Sequence, residues 1–210
     1  MIDWLELNFE KPAELPIFPL SQPLFPGCRL PLRIFEPRYV RMVSEASKAG
    51  TGFVITLLKS GSEVRAEAAG TNTQTVAFHD IGCWCQIIDF ETLNDGMLGI
   101  TVAGESEVQI GPAEQEPDGL WLASVEPLVH LPLSEDEAIE DLRSILAELR
   151  NHPLLDNLLP HSEGMSGSEV LNNLCCWLPF SETKKQLLLS AMDYPQRLAQ
   201  LRKWLQEWMR

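Results

Sequence analysis

The first third of the chain alternates between short apolar segments and turn-forming residues. Leu15–Leu20 is apolar but interrupted by proline, which lacks a backbone donor, so we predict an edge strand or an extended entry segment. A second extended stretch, Cys28–Ile34, follows the turn-forming pair Pro26-Gly27. The spacing then becomes helical and predicts one amphipathic helix over about Pro37–Ala49, with an apolar stripe of Tyr39, Met42, Val43 and Ala46.

From Thr51 to Val129 the apolar positions follow the two-residue period of β structure. Asn94-Asp95-Gly96 supplies residues that tolerate a positive φ between two strand-like runs, which is typical of a hairpin. Gly104 and Gly111-Pro112 are predicted to be turns. We expect a twisted sheet or small barrel with one helix inserted early. The predicted strands are Phe53–Leu58, Val64–Ala69, Thr73–Phe78, Gly82–Phe90, Leu98–Ala103, Val108–Ile110 and Leu120–Val125.

The pattern becomes helical again after Ser134. Residues 134–137 read Ser-Glu-Asp-Glu, a capping box in which the serine hydroxyl accepts from an early amide and the last glutamate reaches back. We therefore predict a division into a β-rich part, residues 1–133, and a helical part, residues 134–210. The predicted helices are one with the apolar stripe Ile139 to Leu149, followed by Ser168–Leu178, Ser181–Met192 and Pro195–Trp208.

Composition excludes membrane-spanning classes. Of the 210 residues, 45% are hydrophobic and 22% are charged, as in soluble globular proteins. The longest apolar run, Phe53–Leu58, is far shorter than the roughly 20 residues that cross a bilayer. The amino terminus carries acid where a secretory signal carries base, so we expect a cytoplasmic protein without a membrane partner.

Charge is distributed unevenly along the chain. Between Arg65 and Arg143 there is no Lys or Arg but there are sixteen Asp and Glu, so this half should repel a phosphate backbone and we predict no nucleic-acid partner. The one concentrated group of basic residues is Arg29, Arg33, Arg38 and Arg41. Arginines beside a helix start are more often solvated or ion-paired than part of a binding patch, and we favour that interpretation.

Metal and catalytic motifs are missing from the sequence. Its five cysteines include Cys83-Trp84-Cys85 and the adjacent pair Cys175-Cys176, without the two ligand pairs of a zinc knuckle, so we expect reduced, buried thiols. The four histidines have no metal-site spacing. The segment 162–167 is not a nucleophile elbow and is interpreted as a loop with a cap for the next helix. No metal or cofactor is predicted.

Three motifs near the amino terminus resemble a known family. Leu15–Leu20, then Leu24-Phe-Pro-Gly27, then Leu32-Arg-Ile-Phe-Glu-Pro-Arg-Tyr39 are similar to the amino-terminal, substrate-binding domain of the Lon proteases. The resemblance continues into the tail, at Leu178-Pro179, Lys185 to Leu188, Asp193 and Arg197-Leu198. It implies an α+β fold, in which a β-rich pseudo-barrel of the pseudouridine-synthase-associated (PUA-like) type with one inserted helix precedes a C-terminal helical bundle.

The chain departs from the resembled family at one place. After Gly104, where members usually carry a basic pair and an aromatic residue, this sequence has Glu105-Ser106-Glu107-Val108. We interpret this segment as part of a hairpin whose surface charge differs from that of the family.

The resemblance implies binding without catalysis. No glycine-rich phosphate loop ending in Lys and Ser or Thr occurs, and we expect a stand-alone Lon amino-terminal domain that is not an enzyme. Its predicted partners are unfolded or regulatory polypeptide segments. The alternative is a small-molecule or effector-binding module with a cleft between barrel and helices. Because the chain is acidic, a polypeptide partner is predicted to be apolar at its contact core and basic at its rim.

Two interpretations of the helix-start motif remain open. Folding alone can explain it, because Glu36 can cap the helix, Pro37 can preset the first turn, Tyr39 can anchor the core and Arg38 can clamp a carboxylate or strand end. Alternatively, the residues contact a ligand. The candidate binding or family-motif residues are Phe18, Phe25, Phe35, Glu36, Pro37, Arg38 and Tyr39.

Overall fold

A computed structural model of the chain describes residues 13–60, 77–131, 133, 139–153, 155–156, 158–159, 164–190 and 193–208. Within these ranges six strands come first along the chain, with one helix between the second and third. The strands are β1 (Ala13–Leu20), β2 (Arg29–Ile34), β3 (Phe53–Ser60), β4 (Ala77–Thr92), β5 (Leu98–Gln115) and β6 (Trp121–Pro127). The helices are α1 (Pro37–Ala49), α2 (Glu140–Arg150), α3 (Gly167–Trp177), α4 (Glu182–Leu189) and α5 (Tyr194–Trp208).

Five of the strands close into a ring. β1 pairs in parallel with β3 and antiparallel with β6, while β4 lies between β3 and β5. The second half of β5 pairs with β6 and closes the barrel, and its first half pairs with β2. This is the pseudo-barrel expected from the resemblance, and the α+β class with an inserted helix is confirmed.

Two predicted turns are wrong. Gly104 lies inside β5, which runs without interruption through the two segments that the sequence suggested as separate strands, and Gly111-Pro112 lies inside it as well. The Gly104 backbone makes two hydrogen bonds to the loop between β1 and β2: its N–H donates to the Cys28 carbonyl at 2.9 Å, and its carbonyl accepts from Gly27 N–H at 2.8 Å. A Cβ at Gly104 would lie 2.3 Å from the Phe25 carbonyl oxygen. The glycine therefore serves a close backbone approach rather than a turn.

Helix α1 matches its predicted bounds because its signals are local. Pro37 occupies the first turn, where its missing N–H costs nothing, and Gly50 ends the helix in the left-handed region with φ 67°. The predicted capping box at 134–137 and most of the strands predicted between 64 and 78 lie outside the described residues. A capping box is present instead at α3, between Ser166 and Glu169.

Two apolar clusters show how the layers pack. The smaller one fills the barrel, where alternate residues of five strands point inward: Leu15, Ile17, Val54, Trp84, Val108, Ile110, Ala123 and Val125. The larger one joins the opposite face of the strands to α1 and to the C-terminal helices. A division of the chain at Ser134 therefore stays a prediction, because this larger cluster contains residues from both sides of it. None of the described helices is long and apolar enough to span a membrane.

Candidate functional site

An open hollow of about 270 Å³ lies at the start of α1, beside β1 and β2. It brings together four of the seven candidate residues: Phe18, Phe35, Glu36 and Tyr39. The sequence analysis did not choose the other lining residues as candidate binding residues, although they belong to the two proline-containing strands that precede Phe35. These are Leu20, Pro31, Leu32 and Arg33.

Aromatic rings form much of the lining. Phe18 and Tyr39 are buried, and their ring centroids are 4.1 Å apart, while Phe18 also lies 6.0 Å from the ring of Phe53. Phe35, by contrast, is 49% exposed, although it lies beside this buried group. An exposed aromatic side chain next to a buried aromatic cluster provides apolar surface that a partner can cover.

Both charged residues of the lining already have partners. Arg33 forms an ion pair with Asp95 in the β4–β5 turn. The Glu36 carboxylate lies 3.0 Å from the Arg38 guanidinium. The hollow therefore contains no uncompensated charge that would select a charged ligand.

Arg38 has a positioning role beneath the hollow. Its side chain is buried, donates from Nη1 to the Gly119 carbonyl at 2.8 Å, and lies 4.5 Å from the Tyr39 ring centroid. Of the two expected partners, a carboxylate or a strand end, the carboxylate is present, and the guanidinium joins Glu36 to the β5–β6 turn. The expectation that Glu36 caps α1 through its side chain is wrong, because this carboxylate pairs with Arg38 and makes no cap bond.

Three candidates lie outside the hollow's lining. Pro37 is the exposed first residue of α1, and Arg38 lies below the lining. Phe25 is fully buried in the loop between β1 and β2, with its ring centroid 5.7 Å from the guanidinium of Arg197. That loop is held by two amide side chains of α3, since Asn172 donates to the Pro26 carbonyl and Asn173 to the Gly27 carbonyl.

A buried ion pair joins the barrel to the helices. Arg197 of α5 donates from Nη1 and Nη2 to the two carboxylate oxygens of Glu107 in β5, at 2.7 and 2.9 Å. Arg197 also donates to Asn172 Oδ1 at 2.6 Å and to the Leu188 carbonyl at 2.9 Å. On the other side, His130 Nε2 lies 2.8 Å from Glu107. The expected surface charge at Glu107 is therefore wrong: the residue belongs to the antiparallel β4–β5 pair, but its side chain is buried on the face toward the helices.

Opposing effects set the ionisation of this pair. Burial by itself raises the pKa of Glu107, but hydrogen bonds from His130 and Arg197 outweigh burial and hold the pKa below its ordinary value. For Arg197, burial lowers the pKa and the Glu107 carboxylate more than compensates, so the guanidinium stays charged. A bidentate contact of this kind is a strong, directional link between two layers.

The basic group near α1 is largely ion-paired, as the sequence suggested. Besides Arg33 and Arg38, Arg41 contacts three carboxylates, those of Glu45, Glu116 and Asp118. One guanidinium among three carboxylates leaves an excess of negative charge beside the β5–β6 turn. The side of α1 that faces the β5–β6 turn is therefore acidic rather than basic.

The five cysteines are free and buried, as predicted. Burial raises the pKa of the Cys28, Cys83 and Cys85 thiols well above the ordinary value, and it raises that of Cys175 to about 12. Such thiols are poor nucleophiles. Within the described residues, no group of three or more His, Cys, Asp or Glu side chains is arranged to hold a metal ion.

Comparison with known proteins identifies the family. The model of the ATP-dependent protease La (LON) substrate-binding domain matches residues 14–207. The chain belongs to the Lon substrate-binding domain family. A solved structure, the Lon N-terminal domain protein from Xanthomonas campestris, is 27% identical with a TM-score of 0.65 and covers 91% of this chain and 98% of its own.

A second solved structure has the same fold. The N-terminal domain of the Mycobacterium avium complex Lon protease has a TM-score of 0.64 at 17% identity, covering 91% of this chain and 97% of its own. In this member of the Lon family, the tail residues that carried the resemblance hold the helices on the barrel. Gln186 donates to the Ile81 carbonyl at 3.1 Å, and Arg197 binds Glu107.

Proposed function

We infer that the chain is a non-catalytic, cytoplasmic recognition module that binds unfolded or regulatory polypeptide segments in the hollow at the start of α1. Membership of the Lon substrate-binding family supports polypeptide as the class of partner. The observation that carries the choice of site is the exposed Phe35 beside the buried Phe18 and Tyr39 rings. An apolar anchor entering such a depression is a common form of peptide recognition.

The size of the hollow supports a side chain as the occupant. Its volume of about 270 Å³ is large enough for one large side chain and lies at the lower edge of the roughly 300–1,000 Å³ typical of small-molecule sites. Its charged lining residues are neutralised by neighbours, which favours an uncharged, apolar group. A single large aliphatic or aromatic side chain of a polypeptide has this chemistry.

The small-molecule alternative gains no comparable support. It needs a cleft between barrel and helices, but the described residues at that junction are packed around Arg197, Glu107 and Asn172, which are all nearly inaccessible to solvent. The polar groups that converge there bind one another. The junction is thus better explained as a structural connection than as a ligand cleft.

The charge of the surroundings specifies the flanks of the partner. Arg41 with its three carboxylates gives an acidic border on the side of the β5–β6 turn, which Arg38 links to Glu36 of the hollow. A segment with Lys or Arg beside its apolar anchor should associate faster than one with Glu. This advantage should shrink as salt screens the exposed charges.

The test uses two fluorescein-labelled peptides, Lys-Lys-Thr-Val-Phe-Val-Thr-Lys-Lys and its twin with Glu in place of Lys. Titration at about 0.02 M and 0.15 M salt should give tighter binding of the Lys peptide, and a smaller difference at the higher salt. Phe35→Ser should weaken binding of the Lys peptide about tenfold, as loss of an interface aromatic does. Val40→Ser is the matched control, because Val40 is also exposed but does not line the hollow. Equal binding by the two variants, or preference for the Glu peptide, would contradict the proposal.

A further inference from the structure

Strand β2 forms part of the lining of the hollow. Three successive residues, Pro31, Leu32 and Arg33, all contribute to the lining. Successive side chains of a strand point to opposite faces of its sheet, so a depression above one face meets only alternate residues. A depression lined by all three reaches backbone atoms as well as side chains, which fits a course along the edge of the strand.

That edge of β2 has no strand partner among the described residues. In the sheet, β2 is the terminal strand and pairs with β5 alone, from Arg29 opposite Ala103 to Ile34 opposite Leu98. Successive residues of an edge strand direct their backbone N–H and C=O groups alternately to the partner strand and to the open side. The open side of β2 therefore offers carbonyl and N–H groups next to an apolar depression.

The proline in the middle of β2 fits this placement. Pro31 has no N–H to give to β5, and proline within sheets is confined to edge strands with the nitrogen on the open side. The open side then carries the groups of Arg29, Pro31 and Arg33, with one donor missing at Pro31. Proline and exposed arginines on an edge also discourage uncontrolled pairing between copies.

We propose that the polypeptide partner binds as an additional β-strand along the open edge of β2, with one apolar side chain inserted between Phe35 and the Phe18–Tyr39 pair. The inference rests on the proposed function and adds the conformation and register of the bound segment. Backbone hydrogen bonds would supply affinity that is independent of sequence, and the hollow would select the anchor. Arg33 of the edge is already paired with Asp95, and the excess carboxylates around Arg41 favour basic residues where the segment approaches α1.

The decisive experiment is a backbone N-methylation series of the Lys peptide, one methyl group at a time, titrated against the full chain. A strand added to β2 uses alternate peptide N–H groups, so binding should weaken about threefold to tenfold at every second position and remain unchanged between them. Tolerance of methylation at all positions would overturn strand addition while leaving the proposed function intact. No binding of the unmethylated peptide would overturn both.

Two further measurements distinguish a peptide bound along the edge of β2 from other occupants of that edge. On the protein side, the N–H of Arg33 should become protected from hydrogen exchange when the peptide binds, whereas that of Val40 in the first part of α1 should not change. Sedimentation velocity of the same samples should show one copy of the chain in each complex. A dimer of the chain that dissociates when the peptide is added would identify a second copy as the natural occupant of the edge and overturn the proposal.

Discussion

Replacing Arg197 by methionine tests how the helices are held on the barrel. The Arg197 side chain is fully buried and Glu107 is 1% exposed, so solvent does not screen their interaction. Methionine keeps much of the length of the side chain but removes the donors to Glu107, Asn172 and the Leu188 carbonyl. The variant leaves the carboxylate buried, with His130 as its remaining close partner.

The expected cost follows from this burial. Removing one partner of a buried pair destabilises proteins by about 3–5 kcal/mol, since the other charge is left without full compensation. Domains have a free energy of unfolding of about 5–15 kcal/mol, so Arg197→Met should remove about 30–50% of the total at the middle of this range. Replacing both partners, as in Glu107→Leu with Arg197→Met, should cost much less than Arg197→Met alone.

Urea unfolding, followed by tryptophan fluorescence and far-ultraviolet circular dichroism, measures these differences. Arg202→Met is the matched control on the same helix, because Arg202 pairs with Asp141 at the surface and should contribute less than about 1 kcal/mol. If Arg197→Met costs no more than Arg202→Met, or if the double variant is as unstable as the single one, the reasoning about the buried pair is refuted.

Three other outcomes are expected. The pKa of Glu107 is lower in the folded chain than its ordinary value of 4.5, so the stability contributed by its charge is complete above pH 4.5 and is lost as the pH falls through the folded pKa. Urea titrations between pH 7 and 3 should therefore show a steeper loss of unfolding free energy for the wild type than for Glu107→Gln. Parallel curves for the two proteins would contradict this. Gly104→Ala places a Cβ 2.3 Å from the Phe25 carbonyl oxygen and should cost about 2 kcal/mol or more of stability. In Gly96→Ala the new Cβ has open space and only the positive φ is unfavourable, so the cost should be about 1 kcal/mol. Equal destabilisation of the two variants in thermal melts would argue against the close approach at Gly104. Truncation after Tyr194 removes the buried residues of α5 and should lower the melting temperature and increase the binding of an apolar dye. An unchanged melting temperature would mean that α5 does not contribute to the stability of the rest of the chain.

Local signals were sufficient for the parts of the fold that depend on neighbours in sequence. Pro37 and Gly50 define α1 without help from the rest of the chain, and the alternation around Trp84 places the two flanking thiols on one face. The family resemblance, carried mainly by the motif that ends at Tyr39, supplied the barrel. These elements agree with the structure because each rests on short-range geometry or on a matched motif.

Long-range contacts could not be derived in the same way. Gly104 has the sequence signature of a turn, and only the approach of the Phe25 carbonyl explains why a strand needs glycine there. Glu107 and Arg197 are 90 residues apart, so their pairing leaves no local pattern. The sequence does contain an indication of this pair. Arg197 lies within the apolar stripe of α5, and Glu107 precedes Val108, whose side chain points into the barrel.

The candidate site was predicted in part for the same reason. Phe35, Glu36 and Tyr39 are contiguous in the motif and meet in the hollow, whereas Leu20 and Leu32 join them only through the arrangement of β1 and β2. Phe25 shares the family motif but is part of the core near Arg197. A motif thus marks residues that matter to the family without separating those that fold the chain from those that line a surface.

The most direct test of the central claim is to map the peptide on the protein. Two-dimensional amide spectra of the isotope-labelled chain, recorded while the Lys peptide is added, report each backbone position separately. The account predicts saturable shifts at Phe18, at residues 32–36 and at Tyr39, with little change along α4 and α5. Shifts confined to the C-terminal helices, or no saturable shift at the hollow, would contradict it.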